Sequence, residues 1–108
     1  MATESRPRTN ADIMHEASPQ AHDAFMAMRK ALNEAGPLPA QVRELIVASN
    51  FATHGMHGGF LTHGGRALEY GASVEELRHA VLVTLGANTT FGRVAEALTW
   101  VDELAAKR

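Results

Sequence analysis

The chain has 108 residues, a formal charge of −2 at pH 7 and no cysteine. That length suffices for one domain and is too short for two. Without cysteine there are no disulfides, thiolate nucleophiles or thiolate metal ligands, and the scattered Lys and Arg residues form no footprint for nucleic acid.

Hydrophobic residues make up 45% of the chain, with only four Phe, one Trp and one Tyr. The core must therefore rest on Ala, Leu, Val and Met, the composition of helix-on-helix packing. No apolar run reaches the ~18 residues a membrane span requires. The opening MATESRPRTN lacks the apolar stretch of a secretory signal. A cytoplasmic location with no membrane partner is the resulting expectation.

Residues 1–10 read as a loose polar tail ahead of a single all-helical domain over 11–108. Residues 11–17 suit a short helical turn. Ser18-Pro19 then places a capping hydroxyl before a proline at the first helical position. The next helix runs to about Glu34, with Ala21, Phe25, Met28 and Leu32 on one stripe, and Gly36-Pro37 stops it. A further helix from near Pro39 to about Thr53 carries Val42, Leu45, Ile46 and Ser49 on one face. Another covers His57 to Tyr70, with Gly71 where a left-handed terminator belongs. Ser73 and Glu76 form a capping box, opening a helix that carries Leu77, Ala80, Val81, Val83 and Leu85 and fades at Gly86. Thr89 or Thr90 caps the last helix, with Val94, Leu98, Val101 and Leu104 inward. No alternating strand pattern exceeds three or four residues. The expected fold is all-α, with five to six helices around an antiparallel helical hairpin.

One segment does not read as ordinary scaffold. His54 to Gly65, HGMHGGFLTHGG, holds three of the six histidines and five of the nine glycines. Each glycine inside a helix weakens it by roughly 0.8–1 kcal/mol relative to alanine, so the segment calls for close backbone approach or open space. At about 100° per residue, Met56, Gly59 and His63 share a face, His57 sits roughly 120° from His63, and His54 is nearly opposite it. Three histidines so spaced cannot converge on one metal from a straight helix. A site built from His54, His57, His63 and Glu44 would need a break at Gly55 or Gly58. Glu44 lies nineteen residues before His63. A helical hairpin turning near Thr53–Gly55 would bring it back beside the imidazole, forming a minimal acid–base pair. Gly59, one turn before His63, would leave a gap for a small ligand.

Glu44, the helix with His63, then RALEYGASVEELRHAVL and FGRVAEALTWVDEL together resemble the carboxymuconolactone decarboxylase and alkylhydroperoxidase D-like superfamily over about residues 38–104. In the peroxidase branch the motif is a glutamate, a Cys-x2-Cys pair and a histidine four residues beyond the second cysteine. Carried over, the glutamate falls on Glu44 and the histidine on His63, while Met56 and Gly59 stand at the cysteine positions. Methionine cannot cycle through a disulfide and glycine has no side chain, so disulfide peroxidase chemistry is excluded. The decarboxylase branch resembles the chain in lacking the cysteines and keeping the histidine, but differs at Glu44, where it has a small polar residue. The resemblance further implies a trimer or hexamer with the site near subunit contacts.

The leading expectation is proton transfer or decarboxylation on a small lactone or keto acid. Glu44 and His63 would be catalytic, Met56, His57, Gly59 and Phe60 would line the substrate, and no organic cofactor is needed. A non-catalytic oligomeric ligand-binding protein is the alternative from another class, and the histidine metal site is the third. Against each stands a simpler role: His63 as a core histidine on a backbone carbonyl, Glu44 as a surface charge paired with Arg43 or Arg66, the glycines as close helix crossings. His15, His22 and His79 read as surface residues, Trp100 as core or interface, and Tyr70 as packing.

Overall fold

The structure, a computed structural model, describes residues 6–108. It contains six helices: α1 (Asn10–Ala17), α2 (Pro19–Asn33), α3 (Ala40–Thr53), α4 (His57–Glu69), α5 (Val74–Leu82) and α6 (Phe91–Ala106). No strand occurs among the described residues, so the all-α expectation holds. The described chain divides into two compact units, one ending at Pro37 and one spanning Leu38–Arg108.

The first unit is the α1–α2 hairpin. Of the tail expected over residues 1–10, residues 1–5 lie outside the described residues, and Asn10 already begins α1. Thr9 caps α1 through a reciprocal box with Asp12. Arg6 pairs with Asp12 and Arg8 with Glu16, both at 2.6 Å. The Arg6 guanidinium and the Thr9 N–H hold the Asp12 carboxyl well below the usual carboxylate range. Ser18 then caps α2, with Pro19 at its start. Neither helix buries a residue. The Phe25–Met28–Leu32 stripe exists as periodicity, but all three side chains are about half exposed.

The second unit holds the core. Ala48, Ala52, Phe60, Leu68, Leu77, Val81, Val94, Ala97, Trp100, Val101 and Leu104 form one cluster. At its centre α3 and α4 form a tight hairpin. Gly55, at φ +70°, turns the chain where an L side chain would be strained. Its N–H donates to the Ala52 carbonyl and the Met56 N–H to that of Phe51, closing α3 with a Schellman pair. Gly71 closes α4 in the same manner, through Gly71→Leu68 and Ala72→Ala67 bonds. Ser73 and Glu76 form the expected box and launch α5. Thr90, not Thr89, caps α6. The Thr89 carbonyl instead accepts from the Gly86 N–H, folding the α5–α6 link on itself. Because α5 ends at Leu82, Val83 and Leu85 lie outside it and are exposed.

The inward face of α3 is rotated from the one its largest side chains suggest. Glu44, Ala48 and Ala52 are buried, whereas Ile46 is 45% exposed. Small residues win because the neighbouring helix comes close. On α4 the glycine that faces α3 is Gly59, and a Cβ there would overlap the Phe51 ring. Bulk on this face would push the helices apart. The one large charged group on that face, Glu44, is 6% exposed.

Candidate active site

Glu44 projects from the middle of α3 into the α3–α4 contact. The hairpin runs the two helices antiparallel, so a residue nine positions before Thr53 meets one six positions after His57. His63 Nδ1 lies 2.9 Å from Glu44 Oε1, with the two side chains 18% and 8% exposed. A carboxylate oxygen can only accept, so Nδ1 carries the proton and donates. That fixes the tautomer and leaves Nε2 for exchange. Nε2 has no hydrogen-bond partner, yet no buried side-chain polar atom among the described residues is unpartnered. Nε2 therefore reaches the surface of this unit. The simpler roles for both residues do not apply. His63 bonds a carboxylate rather than a backbone carbonyl; of the two partners expected for Glu44, Arg43 donates to the Leu38 carbonyl instead, and Arg66 forms no ion pair with it among the described residues.

Phe51 completes the site. Its ring stacks on the His63 imidazole, with centroids 5.3 Å apart and planes 19° off parallel. It also occupies the gap expected at Gly59. A Cβ on Gly59 would lie 2.8 Å from Phe51 Cγ and nearer still to the ring edge. Gly59 thus makes room for an aromatic ring, not for open space. Phe51 also lines a groove of about 300 Å³ with Val47, Asn50, His54 and Met56. It is the one side chain common to the groove and the imidazole. Sequence reasoning passed over Phe51, although it carried a signal: Glu44, Ala48 and Phe51 follow i, i+4, i+7 and share a helical stripe.

The other expected site residues are dispersed. Met56 borders the groove, 52% exposed. Phe60 is no substrate contact: it is fully buried, 5.8 Å centroid to centroid from Trp100. His57 turns to α6, where Nε2 pairs with Glu103 Oε1 at 2.9 Å and the ring lies 4.8 Å from Trp100. It makes no hydrogen bond or ring contact to the Glu44–His63 pair among the described residues, because the 120° offset points it to a different helix. His54 Nδ1 donates to the Asn50 carbonyl at 2.7 Å, closing the end of α3. His54, His57 and His63 thus have three separate partners. With Glu44 they make no group with metal-ligating spacing among the described residues. Trp100 is buried, as expected of a packing anchor, but Tyr70 is 50% exposed.

The all-helical fold agrees with the comparison to known proteins. The family model for carboxymuconolactone decarboxylases matches residues 19–103. The chain belongs to the carboxymuconolactone decarboxylase family. It is also 32% identical over 93 residues to an uncharacterized protein of Cupriavidus necator, spanning 84% of this chain and 82% of that protein. No solved structure matches the chain. Among the described residues, no helix is long and apolar enough to cross a membrane.

Proposed function

We propose that this family member performs proton transfer coupled to decarboxylation on a small lactone or keto acid, with His63 as the acid–base group and Glu44 as its positioning partner. The observation that carries the reading is the 2.9 Å His63 Nδ1–Glu44 Oε1 bond within a mostly buried pair. Glu44 stabilises the imidazolium that forms when Nε2 takes up a proton. When the bond to the leaving carboxylate breaks, CO2 departs and its electron pair passes into the adjacent carbonyl system. Protonated His63 then returns a proton to carbon, so one proton is consumed per CO2 released. This chemistry needs no organic cofactor and no thiol, in keeping with a chain that has no cysteine.

The test is turnover of 4-carboxymuconolactone and of a β-keto acid, followed as loss of carboxylate. General acid–base catalysis contributes about 10²–10⁴-fold, so His63→Ala should lose that much. Full turnover by His63→Ala removes His63 from the mechanism, and no turnover by the wild type removes the reaction.

One observation favours a second reading, a ligand-binding protein without chemistry. Phe51 covers the imidazole, and the groove beside it is lined by Val47, Asn50, Phe51, His54 and Met56 without Glu44 or His63. Saturable lactone binding without turnover would select this reading. Under either reading we propose a homo-oligomer, supported by the six large apolar side chains, Ile13, Met14, Phe25, Met26, Met28 and Leu32, that the α1–α2 hairpin leaves 44–55% exposed.

A further inference from the structure

The α1–α2 corner holds a cluster that the Glu44–His63 site does not use. Ser18 is at once the C-cap of α1 and the N-cap of α2, and Pro19 opens the second helix. A one-residue link of this kind sets the last turn of α1 against the first turn of α2. His15 and His22 meet there edge to face, with ring centroids 5.0 Å apart and planes at 87°. Asp23 Oδ1 lies 3.0 Å from His22 Nδ1. The acidic neighbours on α1 are already matched, Glu16 by two bonds from Arg8 and Asp12 by two from Arg6. Among the described residues the only charged partner of Asp23 is His22. A hollow of about 320 Å³, lined by Arg8, Ala11, Asp12, His15, Glu16 and His22, opens beside the two rings.

We propose that His15, His22 and Asp23 bind a divalent transition ion of the zinc type, with water at the remaining position. One ligand atom from each residue lies within 4.8 Å of the others. Ligands held about 2.0–2.2 Å from a tetrahedral ion sit about 3.5 Å from one another. The site therefore closes by movements of about 1 Å, which these surface side chains can make by small rotations while the capped helices keep their backbones in place. Two imidazoles and one carboxylate favour zinc, copper or nickel over magnesium or calcium, which prefer oxygen ligands throughout. Bound there, the ion ties α1 to α2 in a hairpin that buries no residue of its own. Its role is structural, and it is independent of any reaction at His63.

The experiment is calorimetric titration of the untagged, chelator-treated full chain with zinc chloride, and separately with magnesium chloride. We expect about one zinc per chain and no magnesium uptake. His15→Ala and His22→Ala should each weaken zinc binding by at least about tenfold, while His63→Ala leaves it unchanged. Because the histidine variants can disturb the hairpin, zinc addition to the wild type is followed in parallel by imidazole NMR. Shifts confined to His15 and His22 support the site. Shifts at His54, His57 or His63 instead, equal uptake of magnesium, or no uptake of zinc overturns it.

Discussion

Two adjacent glycines in the first turn of α4 meet opposite surroundings, and that contrast tests how the site is packed. A Cβ on Gly58 would meet nothing within 4 Å, whereas one on Gly59 would overlap the Phe51 ring. Neither has positive φ, so alanine fits the backbone at both positions. Gly→Ala at such a site gains about 0.4–1 kcal/mol, largely by restricting the unfolded chain. Gly58→Ala should keep that gain. Gly59→Ala must also displace Phe51 from His63, which forfeits an aromatic contact of about 0.5–1.5 kcal/mol and some of the ring's burial. The two variants share a helix turn, so their difference isolates the Phe51 term at about 1–2 kcal/mol. For a domain this size that separates their melting temperatures by roughly 4–16 °C. The assay is thermal unfolding by circular dichroism, with His63 reactivity toward diethylpyrocarbonate as the local probe. His63 should react faster in Gly59→Ala and unchanged in Gly58→Ala. Equal melting temperatures and equal reactivity would refute the seating of Phe51 at Gly59.

Ser73→Ala removes the hydroxyl that accepts from the Glu76 N–H at 2.9 Å. Cap loss costs about 1 kcal/mol, to be read as a lower denaturation midpoint in urea. Light scattering of the full chain should give a mass of three or six protomers; a stable monomer of 11.6 kDa would contradict the proposed assembly.

Local signals made most of the fold legible. Ser18-Pro19, Gly71 and the Ser73–Glu76 box are readable because each acts within four residues, through a hydrogen bond or a backbone preference that the side chain itself specifies. The buried face of α3 was not legible. A stripe of Val42, Leu45 and Ile46 has more apolar area than Glu44, Ala48 and Ala52, and area normally decides which face turns inward. Here interhelical distance decided, and that depends on Gly59, which lies beyond the turn on the next helix and lets α4 approach Phe51 of α3. The Glu44–His63 contact was legible because hairpin geometry converts a nineteen-residue separation into a meeting point. The Phe51 stack was not, since an aromatic one turn after Ala48 reads equally as core. Nor was the His57–Glu103 pair, because forty-six residues and an intervening helix separate its members.

A mostly buried carboxylate–imidazole pair is a poor device for stability, and this allows the pair's purpose to be measured apart from its reaction. Replacing such a pair by apolar residues of similar volume is often neutral or stabilising, while removing one partner strands the other. The two stranded states differ here. Glu44 is 8% exposed and would be left as a carboxylate with little water in His63→Leu. His63 is 18% exposed, so in Glu44→Leu its Nδ1–H has more access to water. His63→Leu should therefore cost more, within the ~1–3 kcal/mol expected for an unsatisfied buried group, and Glu44→Leu less. The double variant should be at least as stable as the better single one, giving a coupling energy of about 0.5–3 kcal/mol in a urea-unfolding cycle. A double variant that folds as well as the wild type but no longer consumes lactone would mean that the pair is kept for chemistry. Strictly additive single losses would mean that the two groups do not act on each other, and the acid–base reading of this site would fall with them.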